Sequence, residues 1–289
     1  MKAIKRNDAL NWVASSDSAT YPPKADELAE VTANFRQYLL GWDTAKRAED
    51  GLDLFSSGIT AMQFNGVVRV RSLEAVEQTV ATARMRLAGI PWWWWVGPDS
   101  PKGTSAALTS QGAVLLAAMP LMVRPLDGDA SSYGYNIEAR GGSGALGEGP
   151  DGLSVEVVEG LGRLTELVDV YTKSMGIPAD LAADVVRAEA AREDNTDVIR
   201  LAAVLDGRIV GTTVVITTHR TAGVFIVHVA EAQRRRGIGG ALTAAALRVG
   251  RERGMRRAAL IASPAGEALY RNFGFTVVSE YQLFAVPAV

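Results

Sequence analysis

The second half of the chain alternates β-branched runs with segments of helical periodicity. Residues 198–207 and 208–218 are rich in valine, isoleucine and threonine, and they meet just after Asp206-Gly207, a dipeptide typical of a tight β-hairpin. Residues 161–176 instead carry apolar side chains at helical spacing. Strands and helices mixed in this order predict an α/β (α+β) fold, in which a mixed twisted sheet is flanked by helices.

A glycine-rich stretch at residues 141–152 marks the clearest boundary in the chain. Six of its twelve residues are glycine, a composition that builds no core and is typical of a flexible connection. At 289 residues the chain is long enough for about two domains of ordinary size. We therefore predict one domain over residues 1–140, a linker over 141–152 and a second domain over 153–289.

Composition excludes several classes of protein. The chain has no cysteine and only two histidines, which excludes disulfides, thiolate chemistry and a histidine-rich metal site, so we expect no metal. A net charge of -2 is not that of a general nucleic-acid binder. The first residues lack the apolar core of a signal peptide, and no apolar run is long enough to span a membrane. These features predict a cytoplasmic protein that has no nucleic-acid or membrane partner.

One turn in the second half combines positively charged side chains with glycines, which leave the backbone accessible. Three consecutive arginines lead into Gly237, Gly239 and Gly240, where a helical pattern begins. Glycines at a helix start let an anion approach unpaired N–H groups at the positive end of the helix dipole, and arginines add charge-assisted hydrogen bonds. An arginine-rich solvated turn is the alternative, but glycines there weaken the helix by up to about 1 kcal/mol each. The pattern therefore indicates a phosphate-binding turn.

Two common phosphate motifs do not fit this turn. A dinucleotide fingerprint that starts at Gly237 requires a glycine where Leu242 stands, and the chain has no Gly-Lys-Ser/Thr sequence of a P-loop. The sequence R-R-R-G-I-G at 234–239 instead resembles the R/Q-x-x-G-x-G/A motif of the GNAT superfamily of N-acetyltransferases. Residues 263–275, with Tyr270 followed by Gly274 and Phe275, resemble the later L-Y-x-x-x-G-F motif of the family. The resemblance covers residues 153–289.

The resemblance implies transfer of the acetyl group of acetyl-CoA to a primary amine by direct attack. The acceptor would be a small-molecule or peptide amine. The pyrophosphate of acetyl-CoA would bind backbone amides at residues 235–240, and its pantetheine arm would pair with the strand at 227–229. The eight arginines between 234 and 257 would suit the 3′-phosphorylated ADP end. The implied cofactor-binding residues are Val227, Val229, Arg234, Arg235, Arg236, Gly237, Ile238, Gly239, Gly240, Ala241 and Ser263.

The same resemblance implies the chemistry of the site. Tyr270 occupies the family position of the general acid, and a phenol with a pKa of about 10 is a plausible proton donor to a thiolate whose conjugate acid has a pKa of about 8.5. The backbone N–H of Val229 is the candidate oxyanion donor. The general base stays open between His228, Glu231 and a water relay, because residues 208–218 and their partner strand contain no carboxylate.

The first half resembles a degenerate copy of the second. Residues 86–97 align with 251–262, and residues 100–123 align with 263–285. These alignments predict two tandem GNAT-like units. In the first unit Leu108 replaces Tyr270 and no R-x-x-G-x-G sequence remains, so we expect no acetyl transfer there. We expect the two halves to share a buried interface that helps to wall the acceptor cleft.

Four consecutive tryptophans stand at residues 92–95. As a strand they would place Trp92 and Trp94 on one face and Trp93 and Trp95 on the other, and both faces would be buried. A wall of an acceptor pocket is the alternative interpretation, while stacking on nucleic acid is disfavoured because the surrounding segment is not basic.

Two other classes of function are consistent with the same residues. A non-catalytic acyl-CoA-binding or regulatory GNAT-like protein would keep the glycine turn and lack a productive acceptor site. A nucleic-acid-binding protein that uses the arginine cluster would instead show a steep salt dependence of binding. An assay of thiol release from acetyl-CoA with a panel of amines separates these classes from an enzyme.

Overall fold

The computed structural model describes residues 24–43, 51–126 and 149–287. Trp12 and most of the predicted linker, residues 141–148, lie outside the described residues. The helices are α1 (Ala25–Leu40), α2 (Val76–Arg86), α3 (Thr104–Ser110), α4 (Gly160–Ser174), α5 (Ala182–Ala190), α6 (Ile238–Glu252) and α7 (Glu267–Asn272). The strands are β1 (Leu52–Ser56), β2 (Asn65–Val70), β3 (Trp93–Val96), β4 (Val114–Pro125), β5 (Ser154–Val157), β6 (Val198–Leu205), β7 (Arg208–Thr218), β8 (Thr221–Val229), β9 (Arg257–Ile261) and β10 (Thr276–Ala285).

These ten strands form one sheet in the order β1-β2-β3-β10-β4-β9-β8-β7-β6-β5. The predicted mixed sheet flanked by helices is confirmed: β2–β3 and β8–β9 are parallel pairs, and the other neighbours are antiparallel. The strands of both halves belong to a single sheet, which the sequence did not predict. The domain boundaries proposed around residues 141–152 stay a prediction.

The last strand of each half lies beside strands of the other half. Gln282 of β10 pairs with Val96 of β3, and Leu121 of β4 pairs with Ile261 of β9. β10 and β4 are themselves antiparallel neighbours at the centre of the sheet. The two halves are therefore related by an approximate twofold arrangement in which the final strands are exchanged, and neither half completes its sheet alone.

The tryptophan strand has the orientation that alternation predicts. Trp94 is fully buried in a cluster that includes Leu108, and Trp92 lies on the same face with its ring 6.3 Å from that of Trp94. Trp95 points to the opposite face, where its ring lies 5.3 Å from that of Phe35 in α1. Both faces of β3 are therefore covered by protein, as expected for a strand that is apolar on both sides.

Helix α1, although it belongs to the first half, packs on the second half. Tyr38 stacks on Phe225 of β8 with ring centroids 3.8 Å apart. Arg257, at the start of β9, forms ion pairs with Glu30 and Glu27 of α1. These contacts and the exchanged strands form the buried interface that we expected between the halves. No helix in the described ranges is long and apolar enough to cross a membrane.

Candidate active site

β8 and β9 stop pairing part-way along their length, and the space between their carboxyl ends is called the cleft below. The two strands pair in parallel only at their amino ends, and the last pair is Gly223 of β8 with Ala259 of β9. Just beyond this pair β8 carries one residue more than β7, and Ile226 has the positive φ of a β-bulge. The hydroxyl of Thr212 donates to the Ile226 carbonyl at 3.0 Å and holds the bulge in place. The bulge bends the end of β8, so the carboxyl ends of the two strands diverge.

Alternation along β8 sets the direction of each group in this cleft. The N–H of Ala230 donates to the Val210 carbonyl at 2.9 Å, which identifies these two as a hydrogen-bonded antiparallel pair. The two kinds of pair alternate, so the neighbouring pair, Val229 with Gly211, is a non-hydrogen-bonded pair. In such a pair the N–H groups point away from the partner strand. The N–H of Val229 therefore points away from β7, toward the cleft.

The predicted phosphate turn joins β8 to α6. Gly237 precedes the helix with φ of 82°, and Arg235 has φ of 65°. The first helical bond runs from the Ala241 N–H to the Gly237 carbonyl at 3.0 Å, so the N–H groups that precede Ala241 have no helical acceptor. Ala241 was predicted to bind the cofactor, but its N–H already donates to the Gly237 carbonyl. The donors available to an anion end at Gly240.

The three arginines of the turn differ in direction. Arg235 and Arg236 are exposed beside the helix start. The Nε of Arg234 instead donates to the Val229 carbonyl at 3.1 Å, and its Nη2 lies 3.5 Å from the hydroxyl of Ser174 at the end of α4. Arg234 therefore supports the end of β8, while the other two leave their charge at the turn. Of the eight arginines counted in the sequence, Arg257 is buried against α1 and is not available to a ligand.

Residues of β8 alternate between the two faces of the sheet. Val227 and Val229 pack beside Ile238 on the face of α6. His228 points to the opposite face, where its Nδ1 lies 2.8 Å from the hydroxyl of Ser174. Burial and, to a smaller extent, the nearby guanidinium of Arg234 together lower the pKa of His228 to about 4. The imidazole is therefore neutral at physiological pH.

Tyr270 lies on α7 with 8% of its surface exposed. Its ring makes an edge contact with Phe275, with centroids 6.0 Å apart. Burial raises the pKa of Tyr270 to about 12, so its hydroxyl stays protonated near neutral pH. Leu108, which aligns with Tyr270 in the first half, is fully buried in an apolar cluster. The first half therefore has no hydroxyl at the corresponding position.

Ser263 and Glu231, the other predicted residues, are both exposed. Ser263 is exposed between β9 and α7, and its carbonyl accepts N–H groups from Gly266 and Glu267 at the start of that helix. Glu231 is exposed in a short 3₁₀ turn after β8. Ser174 could not be predicted from the sequence, because a serine at the end of an amphipathic helix belongs to no motif. Only the packing of α4 on β8 brings it to His228.

Comparison with known proteins agrees with this geometry. Residues 164–275 match the family model described as the Acetyltransferase (GNAT) family. The protein contains a GNAT-family domain. The matched segment includes the bulged strand, the glycine turn and Tyr270, so the resemblance noted from two short motifs extends over the whole site. Comparison with curated protein sequences gives no match.

Solved structures share the fold beyond the GNAT domain. A GCN5-related N-acetyltransferase from Kribbella flavida matches with a TM-score of 0.65 and 16% identity, over 90% of this chain and 95% of that chain. A tandem GNAT protein from the clavulanic acid biosynthesis pathway matches with a TM-score of 0.54 and 16% identity, over 93% and 98%. A GCN5-related N-acetyltransferase from Sphaerobacter thermophilus matches with a TM-score of 0.56 and 21% identity, over 78% and 74%.

Proposed function

We propose that the GNAT domain transfers the acetyl group of acetyl-CoA to a primary amine by direct attack. The observation that carries the proposal is the row of free N–H groups at Gly237–Gly240, which lies directly after the strand that bends away from β9. A phosphate group on these donors would direct the rest of a long ligand toward the cleft. The exposed side chains of Arg235 and Arg236 add positive charge beside the phosphates.

Binding of the thioester in the cleft would use the end of β8. The pantetheine arm carries amide groups, and the diverging strand leaves the backbone of Val227 and Val229 open on the side of β9. The N–H of Val229 would donate to the thioester oxygen as negative charge develops on it in the tetrahedral intermediate. Arg234 strengthens this arrangement, because its bond to the Val229 carbonyl fixes the orientation of the strand end. Ser263 lies across the cleft at the end of β9.

Proton transfer would be divided between Tyr270 and solvent. The Tyr270 hydroxyl, protonated at neutral pH, would donate to the departing sulfur as the carbon–sulfur bond breaks. The amine would lose its proton to water, because β7 and β8 contain no carboxylate and the imidazole of His228, with its pKa of about 4, is a weak base. His228 would then contact the acceptor as a neutral ring, whereas Glu231 lies beyond the strand on an exposed turn.

The proposal is tested by incubating the full chain with acetyl-CoA and a panel of amines while free thiol is measured. We expect amine-dependent thiol release and an acetylated amine in mass spectrometry. Binding of acetyl-CoA without any amine-dependent release would instead favour a non-catalytic acyl-CoA-binding protein. Calorimetry should give one acetyl-CoA site per chain, because no glycine turn follows β2, and two equivalent sites would contradict this assignment.

A further inference from the structure

Three side chains at the end of β8 form a connected chain of polar contacts. The hydroxyl of Ser174 lies 2.8 Å from Nδ1 of His228 and 3.5 Å from Nη2 of Arg234. Arg234 is tied in turn to the Val229 carbonyl. Ser174 comes from α4, on the face of the sheet opposite α6, so this chain links the helix beside the acceptor side of the cleft to the phosphate turn.

The contact between Ser174 and Arg234 favours one direction for these hydrogen bonds. A guanidinium only donates, so the contact between Arg234 and Ser174 uses a lone pair of the serine oxygen. The single hydroxyl hydrogen of Ser174 is then free to donate to Nδ1 of His228. A neutral imidazole that accepts at Nδ1 carries its hydrogen on Nε2. The nearby positive charge of Arg234 disfavours the doubly protonated ring.

The second ring nitrogen is left for a ligand. Within the described residues Nε2 of His228 has no hydrogen-bond partner. This nitrogen is not fully buried, so it is open to solvent. His228 immediately precedes Val229, whose N–H points toward the cleft. A donor that is fixed in direction and lies one residue from the proposed oxyanion site can contact an acceptor molecule next to its reacting amine.

We propose that Ser174 is a positioning residue that holds His228 as the Nε2–H tautomer, and that this N–H recognises a carbonyl oxygen adjacent to the acceptor amine. The acceptor class is then the α-amino carbonyl compound, as in an amino-acid amide or a peptide N-terminus, in preference to a simple alkylamine. This inference rests on the proposed acetyl transfer for its substrate class. The tautomer itself is a property of the free protein.

The tautomer is tested first, because its readout does not require activity. Nitrogen chemical shifts of the histidine rings at neutral pH distinguish the two neutral tautomers, and the variant His219→Gln assigns the signals. We expect the Nε2–H form for His228 in the full chain and a mixture of both forms in Ser174→Ala. Ser174→Thr should restore the single form, since it keeps the hydroxyl. An Nδ1–H or doubly protonated ring in the unaltered chain would overturn the proposal.

The substrate class is tested with a matched pair of amines, an amino-acid amide and the alkylamine of the same length that lacks the carbonyl. An α-amino group has a pKa of about 8 and an alkylamine one of about 10.4, so kcat/KM is compared per concentration of uncharged amine. On that basis we expect the amide to be favoured by about ten-fold, the value of one hydrogen bond. His228→Gln, which keeps an N–H donor, should retain most of this preference, and His228→Leu should abolish it. Ser174→Ala should weaken the preference, because the ring is then no longer held in one tautomer. Ser110→Ala, at an exposed serine on α3, is its matched control and should leave the preference unchanged.

The outcomes separate this inference from the proposed function. If the unaltered chain acetylates both amines equally well, acetyl transfer stands and the assignment of His228 fails. If His228→Leu keeps the full preference for the amide, the donor is another group and the assignment also fails. If no amine is acetylated at all, the proposed function fails together with the substrate class, and the tautomer measurement still decides the role of Ser174.

Discussion

The side-chain amide of Asn34 donates a hydrogen bond of 3.0 Å to the carbonyl oxygen of Thr221, although 187 residues separate the two. Asn34 is buried in α1, and its Nδ2 also contacts the carbonyls of Ile216 and Thr218. Thr221 is the first residue of β8, the strand whose far end forms the cleft. One amide of the first half therefore fixes the hairpin from which the site of the second half begins.

Substitution of Asn34 should destabilise the whole molecule. Asn34→Ala would leave buried carbonyl groups without a donor, at a cost of about 1–3 kcal/mol in the free energy of unfolding. Asn34→Asp should cost more, because a carboxylate of the same shape places negative charge against the same carbonyls. Urea unfolding followed by fluorescence and circular dichroism measures both effects. Separate transitions for the two halves in the unaltered chain would contradict the single shared sheet.

Residues 150–289 should not fold into an active protein by themselves. In that fragment β10 would lose both of its neighbours, β3 and β4, and β9 would lose one. The aromatic surface of Phe225 would lose its cover from α1. We expect an aggregated or largely unfolded fragment, and partial recovery when residues 1–149 are expressed with it. A soluble fragment as active as the whole chain would show that the first half is dispensable.

Gly237→Glu should abolish acetyl-CoA binding. The change adds bulk and negative charge where the phosphates would lie, and it places a side chain at φ of 82°. Gly51→Glu is the matched control, because Gly51 has φ of 88°, its added side chain would meet no atom within 4 Å, and it precedes β1 at the edge of the sheet remote from β8 and β9. Calorimetry should show normal affinity for the control and none for Gly237→Glu. Equal affinities would remove the turn from the binding site.

Tyr270→Phe should lower kcat by about a hundred-fold or more and leave acetyl-CoA affinity nearly unchanged. The ring keeps its packing on Phe275, and only the hydroxyl that would protonate the sulfur is removed. Tyr281→Phe is the control: the hydroxyl of Tyr281 is buried without a partner, so its removal should keep kcat and maintain or raise stability. A Tyr270→Phe variant with normal kcat, where chemistry limits turnover, would leave Tyr270 a packing residue.

His228 should make stability depend on mildly acidic pH. Its pKa in the folded protein, about 4, lies below the unfolded value of about 6.5. The stability that the neutral ring contributes is therefore complete above about pH 6.5 and is lost as the pH falls toward about 4, with a slope of at most about 1.4 kcal/mol per pH unit. The unfolding free energy of His228→Gln should fall less steeply over this range. Parallel curves for both proteins would contradict the assigned pKa.

Features that depend only on neighbouring residues could be predicted from the amino-acid sequence. The glycine turn and the helix after it follow from residues 234–242, because steric freedom and unpaired N–H groups are local properties. The two faces of the tryptophan strand follow from the period of a β-strand, and the loss of the turn in the first half follows from the alignment of the repeat.

Features that depend on residues far apart in the chain are visible only in the folded protein. The exchange of β4 and β10 depends on strand pairings such as Leu121 with Ile261, and no local pattern specifies which edge a strand joins. The depressed pKa of His228 and its contact with Ser174 depend on how α4 packs over β8. Arg257 looked like part of a ligand-facing cluster in the sequence, yet it is buried because carboxylates of α1 offer partners that only the folded chain brings near.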